Sequence, residues 1–219
     1  RQPFFIDTAA RFDIIYIVVF SLYSRFLTPD CGHPLRGLHR EYHKKEVRFM
    51  LENNPVLDAI RSRRSIRKYP GEPIAEPVRR AILEAGFYAP SAMNRRPFHF
   101  VSITDRELMQ KLSDLHPYAK MLPQADWAII VCGDESVSGP FYMDDCAAAT
   151  QNILLAAHSL GVGAVWCGVD HTERQQSFGE LLGLPEHIKA YSLIVLGMPA
   201  EEKETLDRVE PDKIHENRW

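Results

Sequence analysis

Five cationic side chains crowd into one short stretch of the chain, from Arg61 to Lys68, around the hydroxyl of Ser65. We call residues 61–68 the cationic segment. An arginine guanidinium offers paired donors that match two phosphate oxygens, and a serine hydroxyl adds a third hydrogen bond. This pattern predicts an anion site, with a phosphate-bearing cofactor or a nucleic acid as ligand. A solvated basic helix end fits the same residues, because Lys and Arg favour the last turn of a helix.

The overall charge favours a pocket over a broad basic surface. The 219 residues carry a net charge of -3, and the sequence pI is about 6.3. A dedicated nucleic-acid binder usually has a basic domain, so that class is disfavoured and no nucleic-acid partner is expected. A hydrophobic content of 45% is enough for a real core, in one domain or one domain with an appendage.

The thiols and imidazoles give little support for a metal site. No pair among the four cysteines has the close spacing of a zinc site, and the nine histidines include no HExxH pattern. We therefore expect no metal and read the cysteines as free thiols of a reducing compartment, the cytoplasm. The cysteines are Cys31, Cys132, Cys146 and Cys167.

The first 49 residues differ from the rest. Their apolar stretch from Ile14 to Phe20 is about half the roughly 20 residues that a membrane span needs, and no signal cleavage pattern follows it. The run from Lys44 to Met50 can be encoded by a purine-rich stretch that ends in AAGGAGGT shortly before an ATG. We therefore expect residues 1–49 to be a translated upstream region or an unstructured extension. A membrane-proximal anchor is the competing interpretation, and no membrane partner is expected.

From Met50 onward, the pattern predicts alternating helices and strands. Helices are predicted from Asn54-Pro55, from Pro77, from a Thr104 cap to Leu115, from Tyr142 to Leu160 with Gly161 after it, and from a Thr172 cap to Leu182. Strands are predicted at residues 98–103, 126–132, 162–169 and 191–196. The mixture indicates an α/β or α+β fold.

Two connecting segments have features of a binding site. Residues 89–97 form a polar loop bounded by prolines, and residues 116–124 lack a clear period and are a candidate lid. Large side chains in and beyond that segment are candidates for an aromatic lid, although each also fits an ordinary core: Tyr118, Met121, Phe141 and Tyr142.

Four separated segments of the chain resemble the FMN-dependent nitroreductase family. They are Arg63 to Arg67, Pro90 to Pro97, Gly161 to Gly168 and Asp212 to Trp219, in the family's order and spacing. The resemblance covers nearly all of residues 50–219. It implies a nitroreductase-like α+β fold, with a central mixed, mostly antiparallel sheet flanked by helices. It also implies a homodimer in which two chains build each flavin site.

The resemblance further implies which residues contact FMN. The family's Arg-x-Ser-x-Arg segment binds the FMN phosphate and neighbouring ribityl or ring atoms, the Pro-Ser-x-x-Asn loop reaches the flavin from the partner subunit, and a strand-end backbone N–H meets flavin N5. A tail arginine is a further phosphate candidate. Carried onto this chain, the positions are Arg63, Arg64, Ser65, Arg67, Ser91, Asn94, Cys167, Gly168 and Arg208. Cys167 departs from the family's diagnostic pattern, and a thiol there could be packed or redox-sensitive.

The implied activity is that of an FMN-dependent oxidoreductase. NADH or NADPH would reduce the bound FMN, which would then reduce a small electrophile such as a nitroaromatic, quinone or enone in a ping-pong cycle. The flavin carries this chemistry, so no side chain is expected as an obligatory acid or base. Open alternatives are a specialised flavin enzyme on the same fold, dehalogenase-like or flavin-cleaving, and a flavin-binding protein without turnover.

Overall fold

The computed structural model describes residues 44–45, 47–170 and 173–219. Contacts divide the chain into two units, Arg1–Asn54 and Pro55–Trp219. In the first unit, the described residues 47–52 are helical. The apolar stretch from Ile14 and the predicted Thr172 cap lie outside the described residues, and the origin of residues 1–49 stays a prediction. Among the helices described, none is long and apolar enough to cross a membrane.

The second unit alternates helices and strands along the chain. They run in the order α1 Pro55–Ser62, α2 Glu76–Phe87, β1 Phe98–Ile103, α3 Arg106–Leu115, β2 Trp127–Asp134, α4 Glu135–Ser138, α5 Tyr142–Ser159, β3 Gly163–Gly168, α6 Glu173–Leu182 and β4 Ile188–Gly197. Short 3-10 turns occupy Ala92–Asn94, Leu122–Gln124, Gly139–Phe141 and Pro211–Lys213. The predicted helices and strands are therefore confirmed, with small shifts at their ends.

The four strands form one sheet in the order β1-β2-β4-β3. Every neighbouring pair is antiparallel. A parallel pairing also occurs, as an isolated bridge between Ser65 and Ala164 on the outer edge of β3. The expected α+β class with a mostly antiparallel sheet is thus confirmed, and β1 and β3 are the two edge strands.

Helices cover both faces of this sheet. Side chains alternate along a strand, so Ile129 and Val131 of β2 face the helices α2 and α5, whereas Ile130 faces α3 and α6. All eight residues of β2 are buried, as its continuous apolar run predicts. The small residues of α5 allow close packing, and Ala149 and Ala157 have no exposed surface. This places α5 in the core, as predicted.

The predicted cap of α3 is wrong by one residue. Asp105, not Thr104, precedes the helix, and its carboxylate accepts a hydrogen bond of 2.7 Å from the backbone N–H of Leu108. A carboxylate at this position satisfies a backbone donor and also interacts favourably with the positive end of the helix dipole. The prediction for α5 holds: Gly161 follows its last turn at a φ of 76°, where glycine is favoured.

Candidate functional site

The cationic segment leaves α1 and runs along the outer edge of β3. The backbone N–H of Ile66 donates to the carbonyl of Ala164 at 3.0 Å, beside the bridge between Ser65 and Ala164. The segment therefore covers the first half of this edge strand. Arg67, the next residue, is exposed and reaches toward the far end of β3.

Residues 200–204, which follow β4, hold the cationic segment from its other side. We call them the clamp segment. Its hydrogen bonds to the cationic segment run from Ala200 N to Lys68 O (2.9 Å), from Arg67 N to Glu201 Oε1 (2.6 Å), from Lys203 Nζ to Ser65 O (2.8 Å) and from Arg64 Nε to Glu204 O (2.9 Å). The backbone of residues 64–68 is thus held between β3 and the clamp segment.

A cavity of about 380 Å³ lies between the end of α1, the start of β3 and the clamp segment. We call it the Arg63 cavity. Arg63 and Arg64 line it, together with His158 of α5. Burial lowers the pKa of Arg63, and the positive charges of Arg208 and Arg64 lower it further. The cavity is lined by three cationic residues, Arg63, Arg64 and Lys203, and by two acidic ones, Glu201 and Glu202, so positive charge is in excess and favours an anionic ligand.

The guanidinium of Arg64 mainly organises the backbone around this cavity. Besides the bond to Glu204, its Nη1 donates to the carbonyls of Arg61 and Arg63, each at 2.8 Å. Its Nη2 is buried and has no hydrogen-bond partner among the described residues. A buried donor without a partner is costly, so this nitrogen is available to a ligand in the cavity.

His158 also lines the Arg63 cavity, although no sequence pattern predicts it as a site residue. The hydroxyl of Ser62 donates to the carbonyl of Asp58 at 2.6 Å, so it accepts from Nε2 of His158 at 2.7 Å. Burial lowers the pKa of His158, and Arg63 and Arg64 lower it further. The imidazole is therefore neutral beside two arginines.

A second cavity, of about 540 Å³, opens where β3 ends. We call it the Gly168 cavity. Its lining residues are Arg67, His116, Tyr118, Trp166, Cys167, Gly168 and Arg174. Arg67 thus belongs to this second cavity, whereas Arg63 and Arg64 line the first. Four extended residues from Arg63 to Arg67 can span roughly 13 Å, so the cationic segment connects the two cavities.

The backbone of Gly168 faces the second cavity. In an antiparallel strand, each residue directs its N–H and C=O to one side, and successive residues alternate sides. The carbonyl of Ala164 points outward to Ile66, so Gly168, four residues later, also points outward. Among the described residues, an added Cβ at Gly168 would meet only the carboxylate of Asp170, at 3.8 Å. A flat ligand can therefore approach this backbone closely.

The thiol of Cys167 is packed rather than reactive. Its Sγ lies 3.7 Å from the carbonyl of Tyr118, and burial raises the pKa of Cys167 to about 11 although Arg67 opposes the shift. A protonated buried thiol is a poor nucleophile. Of the four aromatic-lid candidates, only Tyr118 lines the cavity, since Met121 and Tyr142 pack in the core and Phe141 lies elsewhere on the surface.

The loop of residues 89–97, which is predicted to reach the partner's flavin, lies at the edge of the sheet opposite β3. Ser91 and Asn94 line neither cavity, and they precede β1, the edge strand opposite β3. Neighbouring strands are about 4.8 Å apart, so these two edges are roughly 14 Å apart. Within one chain, the structure therefore does not bring Ser91 and Asn94 to Gly168.

The backbone of this loop nevertheless has an unusual conformation that hydrogen bonds hold in place. Met93, Asn94 and Arg96 have φ values of 53°, 54° and 52°, which non-glycine residues rarely adopt. The Ser91 hydroxyl accepts from the backbone N–H of Arg96 at 2.9 Å, which leaves its own proton available to a ligand. Buried Asp145 accepts from the N–H of Ala92 at 2.8 Å. Such held strain is typical of functional loops.

Comparisons with known proteins agree with this architecture. A sequence profile described as the Nitroreductase family matches residues 60–116 and 115–198. A protein of Methanothermobacter thermautotrophicus, provisionally named NADH dehydrogenase/NAD(P)H nitroreductase, is 47% identical over 167 residues, which are 75% of this chain and 87% of that protein.

Solved structures show the same fold. A provisionally named NADH dehydrogenase/NAD(P)H nitroreductase from Bacteroides thetaiotaomicron has a TM-score of 0.74 and 40% identity, and covers 76% of this chain and 99% of its own. A provisionally named nitroreductase from Desulfovibrio desulfuricans, in complex with FMN, has a TM-score of 0.67 and 34% identity over 76% of this chain and 99% of its own.

Proposed function

The chain belongs to the nitroreductase family, and from that premise we propose that it is an FMN-dependent oxidoreductase. NADH or NADPH supplies the electrons, and a small electrophile such as a nitroaromatic, quinone or enone receives them. Donor and acceptor use the same site in turn, which is a ping-pong cycle. The relatives' names support the reductase class, and the acceptor and the cycle are part of the proposal.

The observation that carries this proposal is the arrangement of two cavities along one extended segment. FMN has a dianionic phosphate at one end and a flat ring at the other. The Arg63 cavity offers concentrated positive charge and the orphan Nη2 of Arg64. The Gly168 cavity offers an outward backbone N–H with open space above it. We assign the phosphate to the first cavity and the ring to the second.

Each predicted residue then has a distinct task. Arg63, with Arg208 beside it, neutralises the phosphate, and Ser65 lies on the path between the cavities. Arg67 places a cation beside the ring in the Gly168 cavity. Cys167 contributes packing and Gly168 contributes its N–H. Arg64 chiefly shapes the backbone of the cavity.

The loop with Ser91 and Asn94 enters the proposal through a second copy of the chain. A homodimer would bring the β1 edge of one chain to the β3 edge of the other, so that the loop completes the partner's flavin site. The left-handed backbone of the loop and its attachment to Asp145 support a preformed contact surface. Each dimer would have two equivalent sites.

The flavin supplies the hydride chemistry when it is bound, and the protein supplies binding and electrostatics. Arg67 favours negative charge at the ring end of the site. The thiol of Cys167 is packed and protonated, so we assign it no part in proton transfer. This leaves the chain without an assigned acid or base.

The test is direct. Purified protein is loaded with FMN, its flavin absorbance is measured, and anaerobic reduction by NADH and NADPH is followed before menadione or a nitroaromatic is added. The proposal expects FMN uptake, reduction by a nicotinamide and reoxidation by the acceptor. Protein that takes up no FMN contradicts the proposal, and FMN uptake without turnover would identify a flavin-binding protein.

A further inference from the structure

His116 lines the Gly168 cavity and is almost fully buried. Only 1% of its surface is exposed. Its Nε2 lies 2.9 Å from the carbonyl oxygen of Gly168, and its Nδ1 lies 3.2 Å from the backbone nitrogen of Tyr118. One side chain therefore joins the end of β3 to the segment that follows α3.

These two partners select a single protonation state of the ring. A backbone carbonyl only accepts a hydrogen bond, so Nε2 must carry the proton that reaches Gly168. A backbone N–H only donates, so Nδ1 must be without a proton to accept from Tyr118. His116 is thus held as the neutral tautomer with hydrogen on Nε2.

We propose that His116 is a positioning residue that aims the N–H of Gly168 and holds Tyr118 at the mouth of the flavin site. This role rests on the proposed function, because it presupposes a flavin ring in the Gly168 cavity. His116 acts through the backbone of Gly168 and Tyr118, and it does not contact the reacting atoms.

The backbone around Gly168 is held on both sides, by β4 on one side and by His116 on the other. On the sheet side, the next peptide N–H, that of Val169, donates to Tyr191 at 3.1 Å. On the cavity side, the carbonyl of Gly168 is held by His116. Because the N–H and C=O of an extended strand residue point to the same side, holding this carbonyl favours the outward direction of the Gly168 N–H.

Tyr118 is held in the same way. Its backbone N–H donates to His116, and its carbonyl lies 3.7 Å from the thiol of Cys167. Its side chain is 75% exposed at the cavity, so the position of the ring depends on these backbone contacts. The ring of His116 itself packs edge-on against buried Phe178 of α6, with centroids 6.2 Å apart.

The surrounding charges favour the neutral ring. Burial lowers the pKa of His116, and the positive charges of Arg174 on α6 and Lys120 after α3 lower it further, while the bond to Gly168 opposes them. Arg67 lines the same cavity, and the thiol of Cys167 from β3 is protonated. A second proton on Nδ1 would face the N–H of Tyr118, so acidification would break the bond to Tyr118 before the bond to Gly168.

Three substitutions of His116 distinguish the effect of its bond to Gly168 from that of its bond to Tyr118. H116Q retains a donor that can reach Gly168, H116N retains an acceptor near Tyr118, and H116F retains the packing on Phe178 without either bond. For each variant we would measure the FMN dissociation constant, the visible circular dichroism of bound FMN and the rate constant for its reduction by NADH. Nitrogen-15 NMR of the FMN-free protein would report the tautomer directly.

We expect H116F to bind FMN with altered circular dichroism and to be reduced about tenfold more slowly, the size expected for loss of the bond to Gly168. H116Q should recover most of the rate. The wild-type rate should fall at acid pH, and that fall should vanish in H116F. If H116F has wild-type dichroism and rate, or if NMR shows the tautomer protonated on Nδ1, the positioning role of His116 is overturned. The proposed function is not affected by either result. Wild-type protein that takes up no FMN overturns both the proposed function and this role.

Discussion

His158 donates a hydrogen bond of 2.7 Å to the hydroxyl of Ser62, at the point where α1 delivers the cationic segment to the Arg63 cavity. A neutral imidazole is held there between two arginines that repel its protonated form. This bond ties the end of α1 to α5, and a second proton on the ring would add a positive charge near Arg63 and Arg64.

The environment of two histidines, His158 and His116, predicts a loss of stability on acidification. The pKa values of His158 and His116 are both lowered in the folded protein, so below pH ~6.5 the unfolded chain binds more protons than the folded one. The free energy of unfolding should then fall as the pH drops through this value, and level off below the folded-state pKa values. Urea denaturation at a series of pH values measures this slope.

The matched control is H158Q, whose amide can still donate to Ser62 but cannot titrate in this range. Its unfolding free energy should depend less steeply on pH than that of the wild type. An identical slope in the two proteins would mean that His158 does not contribute to the acid sensitivity.

Two glycines of β3 predict opposite effects of alanine. At Gly168, an added Cβ has open space, so G168A should fold with a free energy of unfolding within about 1 kcal/mol of the wild type. The same methyl group would lie between the backbone and a flavin ring, so FMN should bind at least tenfold more weakly. Equilibrium dialysis and urea denaturation measure the two quantities.

At Gly163, an added Cβ would lie 2.9 Å from Cγ2 of Ile66, so G163A should lose about 1–3 kcal/mol of stability. If G168A bound FMN as tightly as the wild type, the flavin ring would not lie against the backbone of Gly168.

The cationic segment allows a comparison between two arginines. R63A should weaken FMN binding by about 10- to 100-fold, because a charge-assisted hydrogen bond contributes roughly 1.5–3 kcal/mol. R61A is the control, since Arg61 is exposed and does not line the Arg63 cavity. Fluorescence titration of FMN measures both. Equal weakening by the two changes would indicate a general basic patch instead of a phosphate site.

The proposed sharing of each flavin site between two chains predicts complementation between two damaged chains. R63A would impair the phosphate end of a chain's own site, whereas a double S91A and N94A change would impair the site of its partner. Dimers that contain one chain of each kind should possess one intact site and one doubly damaged site, about one intact site in four overall if pairing is random. FMN titration of co-refolded mixtures tests this, and mixtures that never exceed the parent proteins would exclude a shared site.

Elements that depend on local chemistry were predictable from the sequence. The apolar run of β2 predicts a strand buried on both faces, and all its residues are buried. The cap of α3 was misplaced because Thr104 and Asp105 are adjacent and both can cap a helix. Only the geometry shows that the carboxylate of Asp105 is the group that reaches Leu108.

Contacts between distant parts of the chain were not predictable. His116 meets Gly168 across 52 positions, and His158 meets Ser62 across 96. Neither pair belongs to a recognisable motif, so their sequence neighbourhoods give no signal. The division of the cationic segment between two cavities likewise depends on the tertiary path of the clamp segment.

The clamp segment has a consequence for how the protein is made. The bonds that hold residues 64–67 come from residues 134 to 140 positions later in the chain. A ribosome-bound chain that still lacks the clamp segment therefore lacks the bonds that hold Arg64 and Arg67, two of the arginines proposed to bind FMN. On the proposed site, FMN would bind in its final setting only after synthesis through residue 204, so truncation just after β4 should leave the four strands intact but weaken FMN binding.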